Sequence, residues 1–407
     1  MINLELPERL QQLREQVHMG AEFMLRPHSR KYDDNQHNRP EEVFELSKLV
    51  EQGGAGSAPK SKKDSASDAA PKNKNGGNLL TVTAVEELSW GDIGLMLSMP
   101  AFGLGNAAIA AVGTPDQKKR FGDKFAAMAI TEPGAGSDSK NISTTARRDG
   151  DEWVLNGEKI YVTAGDLSEC VVVWATTDKS SGKGGIKSFL IEKGTPGFTL
   201  ARLERKLGLR ASDTAAFILE DCRIPLENIL GGMPKEEAED EEAPASTKGF
   251  GGVMQTFDNT RPAVAAMAVG VARAALELTK EILAKEGIEP NYDKPRFLSS
   301  ALEAELYTME ADLEAARLLV QKAAWMADNG QPNSTYASMS KAKAGRTGNY
   351  VTLRCVELCQ SLGYSEANLL EKFARDSKIL DIFEGTQQIQ KLIIARQVLG
   401  KSSSELK

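Results

Sequence analysis

An acidic residue near the end of the chain stands between bulky apolar residues and a glycine. The segment reads Ile382-Phe383-Glu384-Gly385. A carboxylate in an apolar pocket has its charged form disfavoured, which raises its pKa towards a value suited to proton abstraction at neutral pH. Taken alone, such a glutamate is more often a helix-capping or salt-bridged acid. Glu384 is therefore a candidate base that needs independent support.

The histidines are confined to the start of the chain, and this narrows the choice of a base. His18, His28 and His37 are the only three, so no residue beyond Arg39 supplies an imidazole. A base in the main body must therefore be a carboxylate, lysine, tyrosine or cysteine. The four cysteines lack the spacing of a metal finger or a disulfide framework, and we predict no metal site.

A glycine-rich segment combines backbone freedom with hydrogen-bonding side chains. Residues 131–138 read Thr-Glu-Pro-Gly-Ala-Gly-Ser-Asp and follow an apolar run. Glycines let backbone amides approach a ligand closely, and neighbouring hydroxyls can reach polar ring edges or phosphates. A binding turn and a plain turn fit these residues equally well. A second hydroxyl-bearing segment, Tyr161 to Gly165, ends a predicted strand, and an ordinary strand terminus is its alternative.

The elements that must position these segments change character twice along the chain. Apolar residues recur at helical spacing up to about residue 126, and Thr114-Pro115 is typical of a capped helix start. Short β-branched and aromatic runs follow, in which Asn156-Gly157 predicts a hairpin turn. Helical spacing then returns. The sequence therefore predicts helices, then strands, then helices.

Two polar segments interrupt this order. One is rich in Gly, Ser, Ala and Lys, the composition of a flexible linker. The other carries six carboxylates within residues 236–242, as expected for a solvated loop. The predicted limits are 1–126 for an N-terminal helical domain with its linker at 52–77, 127–232 for a β domain, 233–249 for an acidic loop, and 250–407 for a C-terminal helical bundle.

The composition excludes several classes of partner. The 407 residues are 41% hydrophobic and 26% charged, and the formal net charge is -7. A negative chain has no general attraction for phosphate backbones, so we expect no nucleic acid partner. There is no run of about 18 uncharged apolar residues and no signal-peptide pattern at the start. We therefore expect no membrane insertion and a cytoplasmic location.

Four segments, in this order, resemble the acyl-CoA dehydrogenase family over nearly the whole chain from about residue 80. They read AITEPGAGSD, WVLNGEKIYVTAG, DNTRPAVAAMAVGVARAAL and IFEGTQQIQKLIIAR. The resemblance implies an α+β fold with an N-terminal helical domain, a middle antiparallel β domain and a C-terminal four-helix bundle. It also favours Glu384 as a base over a capping acid.

The resemblance further implies a reaction. In that family FAD lies in a cleft between the β domain and the bundle, beside the acyl chain. Glu384 would abstract the α proton of an acyl-CoA while FAD N5 accepts the β hydride, giving a trans-2-enoyl-CoA. Charge that develops on the thioester oxygen needs donors aimed at it, and the family uses the amide of the glutamate and a ribityl hydroxyl of FAD. Some branches place the base near Asp258 instead, but this chain has Thr260 at the corresponding position, which favours Glu384.

The same resemblance assigns ligand contacts to individual residues. Tyr161 stands where many members have tryptophan, a conservative change for a ring that stacks on another. The residues implied to contact FAD are Ile130, Thr131, Ser137, Tyr161, Thr163, Gln360, Thr386, Gln387 and Gln388. Those implied to contact the substrate are Ser137, Asp258, Asn259, Thr260, Arg261 and Gly385.

Two family elements that reach the FAD of a neighbouring subunit differ in this chain. The Arg-x-x-Phe-Gly element reads Glu-Pro-Asn-Tyr-Asp at residues 289–293, without the arginine. The Gln-x-Gly-Gly element reads Gln360-Ser361-Leu362-Gly363, so only part of it is present.

Three functions are compatible with these observations. The leading one is an acyl-CoA dehydrogenase, a homodimer or homotetramer that passes electrons to an electron-transfer flavoprotein. The second is a related flavin oxidase or monooxygenase, in which reduced flavin meets oxygen. The third is a non-enzymatic partner subunit that has lost part of its FAD site. Glu384 favours the first, and the motifs do not encode the length of the acyl chain.

Overall fold

The computed structural model describes residues 6–52, 76–100, 103–233, 250–402 and 405–406. Most of the predicted linker and nearly all of the predicted acidic loop lie outside the described residues. Within them the chain follows the predicted order of helices, strands and helices.

Six α-helices lie in the described residues of the N-terminal part. Helix α6 begins as the sequence predicts, because Thr114 Oγ1 accepts a hydrogen bond from the Gln117 amide at 3.2 Å and Pro115 opens the first turn. The helices are α1 (Glu8–Gly20), α2 (Ser29–Asp34), α3 (Glu41–Gln52), α4 (Gly77–Leu97), α5 (Leu104–Val112) and α6 (Pro115–Phe121).

Helix α4 is kinked at Asp92, whose backbone is extended (φ -165°, ψ 119°). The Asp92 carboxylate accepts hydrogen bonds from the Leu95 amide at 2.8 Å and from Lys372 Nζ at 2.7 Å. Lys372 also donates to Asp376 at 2.6 Å, and Asp376 accepts from the Leu209 amide at 2.6 Å. We call Asp92, Lys372 and Asp376 the junction cluster, because its contacts join the N-terminal helices, the bundle and the β domain.

Seven strands form one sheet in the middle of the chain. The spatial order is β1-β4-β2-β3-β7-β6, and β5 pairs with β4. Most pairs are antiparallel, but β1 and β2 run parallel to β4, which the prediction of an antiparallel domain did not include. The strands are β1 (Ala126–Ala129), β2 (Thr145–Asp149), β3 (Glu152–Thr163), β4 (Cys170–Thr176), β5 (Ile186–Glu192), β6 (Phe198–Leu203) and β7 (Thr214–Pro225).

Strand β4 is buried along its whole length because it faces two cores. Val171 and Val173 pack with Phe189 in the core inside the β domain. Val172 and Trp174 point the other way and pack in a core that includes residues of α5 and α6. A strand covered on both faces is a continuous apolar run, which explains the sequence CVVVWAT.

The prediction of a hairpin turn at Asn156-Gly157 is wrong, because strand β3 runs through both residues. The pairing of β3 with β7 shifts between Leu155 and Gly157, which is the mark of a β-bulge. A Cβ atom on Gly157 would lie 2.5 Å from the hydroxyl oxygen of Thr144, so the close approach of this segment requires glycine. Asn156 donates from its side chain to the Asp221 carboxylate at 3.1 Å. Strand pairing therefore overrides the local turn signal.

The C-terminal part is helical and forms a bundle. Leu276, Met309 and Val351, from three of its long helices, lie in one core that also contains Met96 of α4, so the N-terminal helices pack on the bundle. The stretch Thr260–Lys285 is long and apolar enough to cross a membrane, but 78% of its apolar window is buried by protein, as in a core helix. The helices are α7 (Phe250–Lys285), α8 (Ala301–Asp328), α9 (Ser334–Leu358), α10 (Gln360–Tyr364), α11 (Leu370–Ser377) and α12 (Gln387–Leu399).

Candidate active site

Glu384 lies in a tight turn just before helix α12. Glu384 has φ +55° and Gly385 has φ +89°, so two consecutive residues are left-handed. Glycine adopts this conformation at little cost, but a glutamate there is uncommon and needs support from its surroundings. A Cβ atom on Gly385 would lie 2.5 Å from Nε2 of Gln390. The glycine of the motif is therefore required by packing as well as by its backbone angle.

Two buried side chains hold this turn from behind. Gln390 Nε2 donates to the carbonyl oxygens of Glu384 at 3.0 Å and Gly385 at 3.1 Å. Lys341 Nζ donates to the Gly385 carbonyl at 2.7 Å. Both side chains are fully buried. We call Glu384, Gly385, Gln390 and Lys341 the base turn. No hydrogen bond among the described residues uses the Glu384 amide, which leaves this N–H available to a ligand.

The carboxylate of Glu384 is half-buried and accepts a hydrogen bond from the neighbouring helix α7. Thr260 Oγ1 donates to Glu384 Oε2 at 3.2 Å. Desolvation raises the pKa of Glu384 above its usual range. The positive charge of Arg261, the Thr260 hydrogen bond and the charge of Lys341 oppose that rise. This is the environment of a carboxylate whose pKa is moved towards neutrality.

A cavity of about 350 Å³ adjoins the base turn, between the β domain and the bundle. Ile382 and Phe383, which precede Glu384, form one wall together with Leu97 of α4. Tyr161 and Thr163, at the end of strand β3, also line the cavity. Elements of all three domains therefore meet at the cavity, and two segments identified from the sequence contribute lining residues to it.

Tyr161 is presented to the cavity by an irregular strand end. The pairing of β3 with β7 shifts between Lys159 and Val162, and Tyr161 has φ +56°. Ala164 is also left-handed, with φ +54°. This backbone leaves the Tyr161 ring 61% exposed, although the residues around it on the strand are mostly buried. The strand end is therefore built to expose a ring, which the sequence alone did not distinguish from an ordinary terminus.

The glycine-rich segment is anchored to the same strand by a buried ion pair. Glu132 receives a hydrogen bond from Lys159 Nζ at 2.7 Å, and Lys159 also donates to the Ile130 carbonyl at 3.1 Å. Desolvation opposes ionisation of Glu132, but the charge of Lys159 and several hydrogen bonds lower its pKa to about 2. The Thr131 carbonyl accepts from the Ile160 amide at 2.9 Å. Ile130 and Thr131 are thus held beside Tyr161.

The other residues predicted to contact FAD or the substrate lie in different surroundings. Thr386 caps α12, and its Oγ1 accepts from the Ile389 amide at 3.4 Å. Gln387 directs its amide into the protein, to Asp381 at 2.6 Å and to the Ala342 carbonyl at 3.0 Å. The residues that are exposed and do not line the cavity are Ser137, Gln360 and Gln388. Asp258 and Asn259 belong to α7, but their side chains lie outside the described residues.

Arg261 is buried, so its guanidinium is not exposed at the surface, where a contact with CoA would need it. Together with Thr260 it acts on Glu384, through charge in one case and a hydrogen bond in the other. The two substrate contacts implied by the resemblance are thus placed beside the candidate base.

Several site residues were missed by sequence reasoning. Lys341 and Gln390 hold the base turn, and Lys206 lines the cavity while donating to the Ser212 carbonyl at 2.7 Å. Burial lowers the pKa of Lys206 to about 8. Gln390 lies six residues after Glu384 in the same motif, so its position relative to the turn could have been noticed. The two lysines carry no sequence signal that separates them from solvated lysines.

Three family models together span most of the chain. The acyl-CoA dehydrogenase N-terminal domain matches residues 7–129, the middle domain residues 127–222 and the C-terminal domain residues 247–399. The chain belongs to the acyl-CoA dehydrogenase family. Members of this family are FAD-dependent oxidoreductases, so the chain is a flavoenzyme of the acyl-CoA dehydrogenase class. The predictions of family, fold and cofactor are confirmed.

Relatives with assigned activities cover most of the chain. The mitochondrial short-chain specific acyl-CoA dehydrogenase of Rattus norvegicus is 34% identical over 98% of this chain and 92% of its own length. The short-chain specific acyl-CoA dehydrogenase of Clostridium acetobutylicum is 36% identical over 79% of this chain and 83% of its own length.

Solved structures give the same relationship. Butyryl-CoA dehydrogenase from Megasphaera elsdenii has a TM-score of 0.83 and 32% identity, and the match covers 98% of this chain and 100% of that one. A chain from the structure of the electron transferring flavoprotein of Acidaminococcus fermentans has a TM-score of 0.82 and 32% identity, over 98% of this chain and 100% of that one.

The residues around the cavity fit a flavin. A volume of about 350 Å³ lies within the range of ligand pockets, and its apolar and aromatic walls suit a fused ring system. Hydroxyl groups of Thr163, Ser212 and Thr214 line it and can serve polar ring edges. Basic side chains suit a ligand that carries anionic groups, and those that line the cavity are Arg205, Lys206, Arg375 and Lys378.

Proposed function

We propose that this chain dehydrogenates a short acyl-CoA across the α,β bond, with Glu384 as the base that removes the α proton. One observation carries the proposal: a half-buried glutamate, held in a left-handed turn by two buried side chains, directly follows Ile382 and Phe383, which line a cavity of about 350 Å³. Burial raises the pKa of Glu384, which makes its carboxylate a stronger base than an exposed glutamate.

The amide of Glu384 supplies the second function that the reaction needs. Proton removal beside a thioester places negative charge on the carbonyl oxygen, and a fixed N–H donor stabilises that charge. The hydrogen bonds of Gln390 and Lys341 fix the carbonyl side of the turn, so the backbone at Glu384 does not have to reorganise when the substrate binds. The same residue would therefore act through its carboxylate and its backbone.

FAD, when bound in the cavity, supplies the acceptor for the β hydride. Tyr161 and Thr163 are the lining residues that we assign to its ring, and Ile130 and Thr131 adjoin them through the glycine-rich segment. Assignment of Ser137, Gln360, Thr386, Gln387 and Gln388 to FAD stays a prediction.

The substrate and the electron acceptor follow from the relatives. The rat and Clostridium acetobutylicum enzymes are named as short-chain specific, and the Megasphaera elsdenii structure is of a butyryl-CoA dehydrogenase. We therefore assign a short acyl chain. The Acidaminococcus fermentans structure supports an electron-transfer flavoprotein as the acceptor. The homo-oligomeric state and the cytoplasmic location stay predictions, which sedimentation of the holoenzyme and cell fractionation test.

The decisive experiment is anaerobic flavin reduction. Purified protein should be yellow, and butyryl-CoA should bleach it without oxygen, more rapidly than octanoyl-CoA or palmitoyl-CoA. In Glu384→Gln the flavin should be retained, but its reduction should slow by roughly 10²- to 10⁴-fold, because a positioned base is lost. Glu405→Gln, an exposed glutamate at the end of the chain, is the matched control and should reduce at the normal rate.

Three results would overturn the proposal. Rapid reduction in Glu384→Gln would remove Glu384 as the base. Colourless protein that FAD does not reconstitute would favour a non-enzymatic subunit. Reoxidation by oxygen faster than by an electron-transfer flavoprotein would instead indicate an oxidase.

A further inference from the structure

Lys341 is a buried lysine without a carboxylate in ion-pair contact among the described residues. It lies in the middle of α9 and is 0% exposed. Its Nζ donates to one carbonyl, that of Gly385, at 2.7 Å. Burying an ammonium group is costly unless charged partners compensate it. A buried lysine with this single neutral contact therefore needs a reason to be present.

The groups that face Lys341 identify that reason. Asp381, from the turn before the base, and Glu384 both interact favourably with its charge, and Arg261 of α7 opposes it. Gln387 already donates to Asp381 at 2.6 Å, so part of that carboxylate is satisfied by another side chain. The carboxylate of Glu384 has only the Thr260 hydroxyl as its hydrogen-bond partner among the described residues. Of the two carboxylates that attract the charge of Lys341, that of Glu384 therefore has fewer side-chain partners among the described residues than that of Asp381.

A neutral side chain, that of Gln390, already fixes the backbone of the turn by hydrogen bonds. Gln390 donates to the carbonyls of both Glu384 and Gly385. A second neutral donor could share the Gly385 carbonyl without the cost of burying charge. What lysine adds at this position is a positive charge directly behind the turn that carries the base.

We propose that Lys341 is a positioning residue for proton abstraction, which fixes the Gly385 carbonyl and uses its charge to keep Glu384 ionised. This inference rests on the proposed function of Glu384 as the base. Arg261 and the Thr260 hydroxyl act on the carboxylate from α7, and Lys341 acts on it from α9, where its Nζ is fixed by the Gly385 carbonyl. The buried carboxylate thereby stays available as a base although its surroundings disfavour charge.

The test compares two variants of Lys341 with a control on the same helix. Lys341→Met removes the charge and the donor, whereas Lys341→Gln removes the charge but keeps a shorter donor. Lys343→Met is the matched control, because Lys343 lies two residues further on and forms a surface ion pair with Asp312 at 2.7 Å. FAD absorbance and thermal unfolding show which proteins are folded. The rate of anaerobic flavin reduction by butyryl-CoA is then measured against pH.

Both Lys341 variants should move the acid limb of the rate profile to higher pH by about one unit, since a nearby positive charge favours the carboxylate. At a pH below the acid limbs of both the wild type and the variant, this shift makes flavin reduction by the variant about tenfold slower. Lys341→Met should also lower the rate of flavin reduction at every pH, because it removes the hydrogen-bond donor to the Gly385 carbonyl. Lys341→Gln should show a smaller loss of this kind, because glutamine keeps a donor. Lys343→Met should follow the wild-type profile.

A second measurement reports on the carboxyl group without turnover. Infrared difference spectra between wild type and Glu384→Gln isolate the carboxyl band of Glu384, and its titration midpoint should rise by about one pH unit in each Lys341 variant. Unchanged limbs and midpoints in both variants would overturn the inference, even if Glu384→Gln is inactive. An active Glu384→Gln would instead overturn the proposed base, so the two failures are distinguishable. If Lys341→Met does not fold, Lys341→Gln alone decides the question of charge.

Discussion

The junction cluster and the base turn each enclose a lysine, and the two lysines respond to burial in opposite ways. Desolvation acts against the charge of both. At Lys372 the charges of Asp376 and Asp92, which lie at 2.6 and 2.7 Å, outweigh desolvation and raise the pKa of the ammonium. At Lys341 the carboxylates are beyond ion-pair distance, and desolvation lowers the pKa to about 8. Burial alone therefore does not decide the state of a lysine.

The difference separates a structural charge from a functional one. The junction cluster satisfies its charges internally and connects three domains through Asp92, Lys372 and the Leu209 amide. The base turn leaves the charge of Lys341 incompletely satisfied, and its field reaches Glu384. Perturbed ionisable groups of the second kind are typical of functional sites.

The largest expected effect comes from breaking the junction cluster. Lys372→Met leaves the Asp92 and Asp376 carboxylates buried without their cation, which should lower the free energy of unfolding by about 3–5 kcal/mol in urea denaturation. Lys401→Met is the matched control, because Lys401 also pairs with an acid four residues on, Glu405, but at the surface. It should change stability by less than about 1 kcal/mol.

Equal losses of unfolding free energy in Lys372→Met and Lys401→Met would contradict the view that the buried junction cluster stabilises the fold. In folded Lys372→Met protein the acid limb of flavin reduction should remain at its wild-type pH, because Lys372 does not act on Glu384.

The next effect concerns the pH dependence of stability at the base turn. The pKa of Lys341 is about 8 in the folded protein and about 10.4 in an unfolded chain, so the unfolded chain binds more protons between these values. Stability from this group therefore rises with pH across that window, by up to about 1.4 kcal/mol per pH unit. Lys341→Met should lose this contribution.

Urea unfolding of the holoenzyme between pH 8 and 10 measures that slope. Lys343→Met should keep the wild-type slope, since Lys343 is half-exposed and paired with Asp312. Parallel curves for wild type and Lys341→Met would show that Lys341 does not differ from a solvated lysine.

The smallest effect comes from the hydroxyl contact of the base. Thr260→Val keeps the shape of the side chain but removes the donor to Glu384 Oε2, which is 3.2 Å away. The pKa of Glu384 should rise, and the acid limb of flavin reduction should move up by about one pH unit, at least as far as in the Lys341 variants, because the hydrogen bond from Thr260 acts on the carboxylate at least as strongly as the charge of Lys341. Thr308→Val, an exposed threonine that donates to a carbonyl within its own helix, should leave the limb in place. An unchanged limb in Thr260→Val would show that this hydroxyl does not act on the Glu384 carboxylate.

Residues close together in a motif were predictable, and residues assembled from distant segments were not. Glu384 and Gly385 occupy one motif, and the cap of α6 at Thr114 uses only neighbouring residues. The Asn156-Gly157 pair shows the opposite case, because pairing with β7 converted a hairpin signal into a bulge inside a strand. Local sequence predicts what local contacts decide.

The sequence by itself determined the family, the order of helical and β segments, the flavin and the candidate base, since each depends on residue types at fixed short spacings. The tertiary structure alone decided which lysines are buried and what they face. Lys372 meets Asp92 across 280 positions of the chain, and Lys341 meets Gly385 across 44. A lysine in a helix is the same residue in the sequence whether it faces solvent or a base, because its pKa depends on desolvation and on charges that only the fold brings near.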